Sequence, residues 1–504
     1  MSNVYLIFCG LMLACPFFAL FLCSVLTLSS QIAARCAGYL MGAGFLVGVG
    51  LLSYISWFND SVTSLFITIN PLNVLLSCLV LLVSFIVHRF SLRYMHGDRL
   101  YRRFFLLLSA LTLTVLLMVL ADNLYLFWGS WTLSNAFLVM LMVHKKEWIA
   151  SRQSGLLAFY TLGLGSILLL VGLILLAVSD ATCSLDVVNQ LKTDHIFLHS
   201  VSLGLIVVAA LTQCGLFPFH RWLISSLNSP TPVSALMHAG LVNGGGILLV
   251  KFAPLMMAQQ GLLYVLFIVG AVSAILGTVW KLMQHDIKRM LACSTMAQMG
   301  FMMMQCGVGL FAAAIAHLCW HGLFKAYQFL SSGSAVKQQK SAVVELPASF
   351  MMVVISFVGG LLAMSTFAWA TNKSFTIFDA STFVLFFAFI AGSQLMLTWI
   401  RTYRTLFSGV TGLVLAALSG LMYGMSIHLV ECLIPGISTL QAPQLSTVHW
   451  VIMSLFGFLW LAFNFGLYQK SGQSKLGCWL YMTLFNSSQP SAKTVTALRS
   501  DYNY

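Results

Sequence analysis

Apolar runs of about 20 residues, the length a helix needs to cross a bilayer, recur along almost the whole of this chain. They lie near 4–28, 37–58, 72–92, 104–121, 123–143, 155–179, 200–222 and 233–256, and then near 261–283, 288–308, 310–332, 348–371, 375–400, 409–433 and 446–468. This spacing predicts an all-α polytopic membrane protein with about 13–15 transmembrane helices. A water-soluble fold fails on charge: only 7% of the 504 residues are charged, against roughly 25% in soluble domains. The first run, Val4 to Leu28, has no basic residue ahead of it and no small-residue cleavage motif behind it, so it is expected to remain as a span. The 12 cysteines show no Cys-x-x-Cys spacing, and most fall inside apolar runs, where cysteine acts as a small hydrophobe. No metal or other cofactor is therefore expected in this chain.

The formal charge of +13 is spread over short loops and does not gather into a basic domain, so nucleic acid is not an expected partner. Arg35, the Arg89–Arg103 loop, Lys145, Lys146, Arg152, Arg221, Lys281, Lys288 and Arg289 all follow odd-numbered spans. So do Lys337, Lys340, Arg401, Arg404, and the tail residues Lys470, Lys475, Lys493 and Arg499. The opposite loops hold Lys192 beside Asp180, Asp186 and Asp194. Basic residues collect on the cytoplasmic side, which predicts an N-terminus outside and a C-terminus inside, in a bacterial inner membrane.

Three lysines, Lys251, Lys325 and Lys373, fall within the spans, where a charge is costly and marks a pathway. Lys251 stands near the end of its span and is expected to snorkel to the interface, with an accessory role open to it. Lys325 belongs to HLCWHGLFKAYQFL, in which His317, His321 and Lys325 are spaced i, i+4, i+8. Each such step rises about 6 Å and turns only about 40° past a full rotation, so the three groups line one helix face. Histidine, with an unperturbed pKa of about 6.5, exchanges protons near neutrality. This face is expected to carry protons rather than merely fasten the bundle.

Around Lys373 the polar run Ser365 to Lys373 follows Gly359-Gly360 and is expected to unwind around a water-filled cavity, the alternative being that the span ends there and Lys373 anchors at the interface. His238 follows Pro232 near a helix start, with Asn243 five residues on and three glycines, Gly244 to Gly246, beyond it. Asp286, ahead of Lys288 and Arg289, reads as a helix cap with an accessory role as the alternative.

At these residues the chain resembles the antiporter-type proton-conducting membrane subunits of respiratory complex I and of Mrp cation/proton antiporters. The segments FPFHRWLISSLNSPTPVSALMHAGLVNGG, QHDIKRMLACSTMAQMGFMMMQCGVG and AAIAHLCWHGLFKAYQFLSSG carry the likeness almost without interruption from Phe217 to Gly333. HRFSLRYMHGDRLYRRF and WGSWTLS bring it closest to the DabB family, membrane subunits of energy-coupled inorganic carbon pumps. The resemblance implies two inverted five-helix repeats with broken helices. The corresponding division is 1–103 for N-terminal helices, 104–258 and 259–405 for the two halves, and 406–504 for C-terminal helices and tail. It also implies a cytoplasmic partner, a DabA-like zinc subunit that hydrates carbon dioxide to bicarbonate, while this chain lets cations run inward and is itself no enzyme.

Carried over residue by residue, the resemblance assigns the relay to His238, His317, His321, Lys325 and Lys373, with Asn243, Lys251, Asp286 and Lys288 as accessories. It also exposes two departures. Thr132 stands where complex I subunits have glutamate, and Gln213 where the family has lysine, so the N-terminal half lacks its titratable pair. The competing readings are an antiporter-like subunit of an NADH–quinone oxidoreductase or an Mrp-type antiporter, and a membrane scaffold that conducts nothing.

Overall fold

The computed structural model describes residues 2–58, 61–64, 66–190, 196–337, 347–374, 379–403, 406–438, 440, 443–467 and 474–495. Among the loop residues used above, Lys192, Asp194, Lys340, Arg404, Lys470 and Arg499 lie outside the described residues. Fifteen long helical segments are present among those described, one for each apolar run. They are α1 (Ser2–Ser24), α2 (Ser30–Phe58), α3 (Pro71–Tyr94), α4 (Tyr101–Leu120), α5 (Leu124–Met142), α6 (Ile149–Ser179) and α7 (Ile196–Cys214). The broken α8 (Thr231–Lys251) follows. The remainder are α9 (Gln260–Met283), α10 (Ile287–Gly307), α11 (Phe311–Leu330), α12 (Phe350–Thr371), α13 (Ser381–Tyr403), α14 (Leu406–Leu433) and α15 (Thr447–Asn464).

Thirteen of these are long and apolar enough to cross a membrane. The two that fall short, α10 and α11, are the helices enriched in Lys, His, Gln, Ser and Thr. They are held inside the bundle, where polar side chains meet protein instead of lipid. Burial is deepest at α8, with 94% of its apolar window covered, and shallowest at α15, with 17%. The molecule is thus assembled around its least regular helix. The end of the bundle with Arg93, Arg99 and Lys145 is called basic below; the other, with Asp122, Asp180 and Asp186, is called acidic.

Near α8 the structure departs from the expected span limits. Helix α7 stops at Cys214, not near residue 222, because Gly215 takes φ +59°. The amide of Leu216 then donates to the Leu211 carbonyl (3.2 Å) and that of Gly215 to Thr212 (3.2 Å), a Schellman closure. The connecting stretch forms a short helix (Arg221–Ile224) and a 3-10 turn (Ser226–Asn228). His220, buried there, packs against Trp280 at 4.7 Å between ring centroids, with the rings tilted by 41°. Burial and the neighbouring Arg221 hold its pKa down at about 4, so it packs as a neutral ring. The segment near residue 490 clasps this stretch, Asn228 Nδ2 donating to the Thr494 carbonyl (2.9 Å), and is tied to the end of α9 as well, where Gln284 Nε2 donates to Ser488 Oγ (2.9 Å).

Helix α8 itself breaks at Gly240 (φ −122°, ψ −72°) into Thr231–Ala239 and Gly244–Lys251, joined by a 3-10 turn over Leu241–Asn243. A break at membrane depth frees carbonyls that hydrocarbon cannot satisfy. Three side chains take them up. Asn243 Nδ2 donates to Ala239 O (2.8 Å), Gln213 Nε2 to Leu241 O (3.1 Å) and Cys214 Sγ to Val242 O (3.1 Å).

The unwinding expected at Ser365–Lys373 does not occur. Helix α12 is continuous from Phe350 to Thr371 and ends on Asn372 in the left-handed region. Its hydroxyls are absorbed by main chain: Thr366 Oγ1 donates to Leu362 O (3.0 Å) or across to Ala417 O (2.8 Å), and Thr371 Oγ1 to Phe367 O (2.9 Å). Threonine hydroxyls that bond one turn back leave the helix intact. Lys373 therefore stands beyond the helix end.

Gly322 of α11 touches the α8 break, and a Cβ placed there would lie 2.7 Å from the Ala239 carbonyl oxygen. Gly322→Val should accordingly destabilise the fold by about 1–3 kcal/mol, as overpacking does. A thermal unfolding midpoint in detergent equal to that of the unmodified chain would contradict this.

Candidate functional site

His317, His321 and Lys325 are all buried on one face of α11. The two imidazoles lie parallel, 6.0 Å between centroids and 12° apart, as the i, i+4 spacing predicts. His321 Nδ1 is 3.2 Å from Asn243 Oδ1. The orientation of that amide follows from its other bond: Nδ2 must donate to Ala239 O, so Oδ1 faces the imidazole and accepts from it. His321 therefore carries its proton on Nδ1, and its Nε2 is left as the proton-accepting atom. Nε2 of His317, Nε2 of His321 and Nδ1 of His238 have no protein hydrogen-bond partner among the described residues. Three ring nitrogens on two adjoining helices are thus open to exchange.

Lys325 is completely buried and neutralised by no carboxylate among the described residues. Its ammonium donates to Ser294 Oγ (2.9 Å), Gln328 Oε1 (3.3 Å) and Leu291 O (3.5 Å). His238 stacks on Phe329, one turn beyond Lys325, at 4.3 Å and 11°. The close approach of α8 and α11 brings the sequence-distant His238 into the field of Lys325, and His321 into the fields of His317, Lys325 and His238.

The corresponding place in the N-terminal half is neutral and closed. Asn135 Nδ2 donates to Gln213 Oε1 (3.1 Å), while Gln213 Nε2 donates back to Asn135 Oδ1 (3.0 Å) and to Leu241 O. Thr132 Oγ1 makes no hydrogen bond to protein among the described residues. The sequence departures at Thr132 and Gln213 are matched by a paired amide, and Asn135, the residue that completes it, carries no signal of its own in sequence.

The other candidates lie apart from this face. Lys251 does not snorkel: it is 7% exposed, donates to Ala121 O (3.2 Å) and sits 5.9 Å over the Phe127 ring. Its position at the acidic end faces a cavity of about 290 Å³ shared with Asp122, Asp186 and Asn189. The short helix Leu185–Gln190 and the two-residue strands Val62–Thr63 and Thr68–Ile69 close around it, with Thr63 and Thr68 donating to Asp186. Lys373, also at the acidic end, pairs with Glu431 of α14 at 3.4 Å. Asp286 caps α10 by accepting from the Arg289 amide (3.0 Å), and Lys288 donates to Ser229 O (3.1 Å).

The sequence model described as NADH:quinone oxidoreductase/Mrp antiporter, transmembrane, matches residues 121–408. The chain belongs to this family. A second model, for the N-terminus of chain 5 of NADH-ubiquinone oxidoreductase (complex I), matches residues 55–105. The chain is 35% identical to the probable inorganic carbon transporter subunit DabB1 of Halothiobacillus neapolitanus, over 65% of its own length and 63% of that protein. To DabB2 of the same organism it is 34% identical, over 85% of its length and 76% of the relative. The NADH-ubiquinone oxidoreductase chain 5 of Schizophyllum commune is 31% identical over 53% of this chain and 40% of that one. The DabB resemblance read from the sequence is borne out, although this chain spans just under two thirds of the length of DabB1. In fold it is similar to the Mrp complex of Dietzia sp. DQ12-45-1b, with a TM-score of 0.59 and 20% identity over 96% of this chain and 51% of that one.

The amide pair yields a stability prediction. Gln213→Leu strands Asn135 and the Leu241 carbonyl and should lower stability by about 1–3 kcal/mol. Adding Asn135→Leu should recover part of that loss in thermal unfolding, and a double variant less stable than the single would refute the pairing.

Proposed function

We propose that this chain is the membrane subunit of an inorganic carbon uptake pump, conducting protons or another cation to drive a partner subunit. The observation that carries this reading is the buried face His317–His321–Lys325, joined through Asn243 to the broken helix and His238. Protonation of His321 at Nε2 makes an imidazolium whose Nδ1–H is already held by Asn243 Oδ1. Charge on α11 is then exchanged among groups whose fields overlap, His238 and Lys325 toward the basic end and His317 toward the acidic end. Lys373, paired with Glu431, and Lys251, beside its polar cavity, serve the acidic end of the route.

The names of the DabB relatives support the substrate, inorganic carbon, and a place as one subunit of a transporter; the partner is proposed to be a DabA-like zinc subunit on the cytoplasmic side. The chain lies in a bacterial inner membrane with its N-terminus outside, on the strength of its basic loops. Membership of the same family by complex I chain 5 keeps an NADH–quinone oxidoreductase or Mrp-type antiporter subunit as the second reading. The closed Asn135–Gln213 pair favours the first, because it leaves one charged channel where pumping by two linked half-channels needs two.

The test is growth. Expressed with its partner in cells that require high carbon dioxide, the chain should restore growth in air. Lys325→Ala should abolish that rescue while the assembled complex persists on a native gel; full rescue would remove Lys325 from the mechanism. Gln213→Ala should retain rescue, and its loss with the complex intact would show that the N-terminal half still conducts.

A further inference from the structure

The cavity of about 290 Å³ at the acidic end is walled by pieces of chain that are distant in sequence. Asp122 comes from just ahead of α5, Asp186 and Asn189 from the Leu185–Gln190 helix, Thr68 from the strand pair and Lys251 from the end of α8. Hydrogen bonds fix these pieces to one another. The Leu185 amide donates to Asp122 O (2.9 Å), the Asp186 amide to Asp122 Oδ1 (3.0 Å) and Asn189 Nδ2 to Lys251 O (2.9 Å). Thr63 and Thr68 both donate to Asp186 Oδ2, at 3.1 and 3.0 Å. The lining is therefore set before anything enters it, which lowers the cost of binding.

Each carboxylate spends one oxygen on this framework and keeps the other. Asp122 is only 2% exposed, and its Oδ2 makes no hydrogen bond to protein among the described residues. The same holds for Asp186 Oδ1, and the neighbouring Asn189 Oδ1 is also unpartnered among them. Lys251 spends one N–H on Ala121 O and forms no salt bridge among the described residues, although it lies in the fields of both carboxylates. A structural ion pair would seat the ammonium on a carboxylate oxygen; here the charges stand apart around open space. Two carboxylates against one ammonium leave the lining one net negative charge. A single monovalent cation brings it to zero, whereas an anion or a divalent cation leaves a partly desolvated place charged. Carboxylate and amide oxygens are hard donors that suit such an ion, and the volume lets it keep part of its water.

We propose that this cavity binds one alkali cation, sodium or potassium, between Asp122 and Asp186 with Asn189 beside them, and that the Lys251 ammonium sets its preference for a single charge. The inference rests on the cation-conducting reading above and gives the ion a first resting place at the acidic end. It also gives the buried Lys251 a task apart from proton exchange, as a fixed charge that tunes selectivity.

The experiment measures equilibrium binding of radioactive sodium to the full chain with its partner, purified in detergent, with choline chloride holding ionic strength constant. A single sodium ion per chain should bind, and unlabelled potassium and calcium are added as competitors. Displacement by potassium at a lower concentration than by sodium also supports the site and makes potassium the preferred ion. No saturable binding of either ion, or displacement by calcium at lower concentration than by both, overturns the proposal. Asp122→Asn keeps an oxygen for the Asp186 amide but loses the charge, and should weaken sodium binding roughly tenfold or more, the scale of one charge removed at close range. Asp186→Asn should do the same, and wild-type binding in both variants overturns the site. Lys251→Met should raise calcium affinity relative to sodium by roughly tenfold or more, while Lys251→Arg, of equal charge, should keep the wild-type preference. A lysine that only packs would lower the thermal midpoint of Lys251→Met and leave the calcium-to-sodium ratio unaltered; that result overturns its assignment. Lys325→Ala, far from the cavity in the relay, should bind sodium like the wild type. Growth rescue without sodium binding sinks the site alone, whereas sodium binding without rescue by the unmodified chain sinks the conduction reading and leaves the site standing.

Discussion

The structure depends on how the chain tolerates a broken helix at membrane depth. Freed carbonyls at Ala239, Leu241 and Val242 have no water to turn to, and each unsatisfied one would be costly in hydrocarbon. Asn243, Gln213 and Cys214 supply the donors. Each of these side chains also does something besides repair. Asn243 presents its oxygen to His321, and Gln213 locks Asn135. The repair of the backbone and the placement of the titratable groups are therefore one arrangement. Glutamine at 213 makes its bond to Leu241 O as a neutral group.

The two halves of the family-matched region handle polarity in opposite ways. In the N-terminal half, Asn135 and Gln213 pair into a closed amide set beside Thr132, whose hydroxyl makes no hydrogen bond to protein among the described residues. In the C-terminal half, His317, His321 and Lys325 retain open nitrogens or an ammonium without a carboxylate partner among the described residues. A closed set holds helices together and an open one exchanges protons. The helices too polar to qualify as spans, α10 and α11, are the ones placed where exchange is possible.

Much of this was legible in the chain because its strongest signals are local. Runs of about 20 apolar residues define fifteen helices, and four-residue spacing defines the α11 face. What was not legible is what depends on partners distant in sequence. Ser365–Lys373 reads as an unwound segment because threonine looks polar, yet Thr366 and Thr371 spend their hydroxyls on their own helix. Lys251 reads as an interfacial lysine because of where its helix ends, but the Leu185–Gln190 helix and Asp122 enclose it. Asn135 and Asn243 draw their significance from neighbours 78 residues away.

The clasp of the tail on the 215–230 stretch has a consequence for biogenesis. Asn228 holds Ala150 O and Ser154 on α6 as well as the Thr494 carbonyl, and Ser225 meets the Ser491 amide. Those bonds close only after all fifteen helices have left the ribosome. Until then the ground beneath the broken helix is held from one side alone, so the membrane interior here is completed by a segment 266 residues further along the chain.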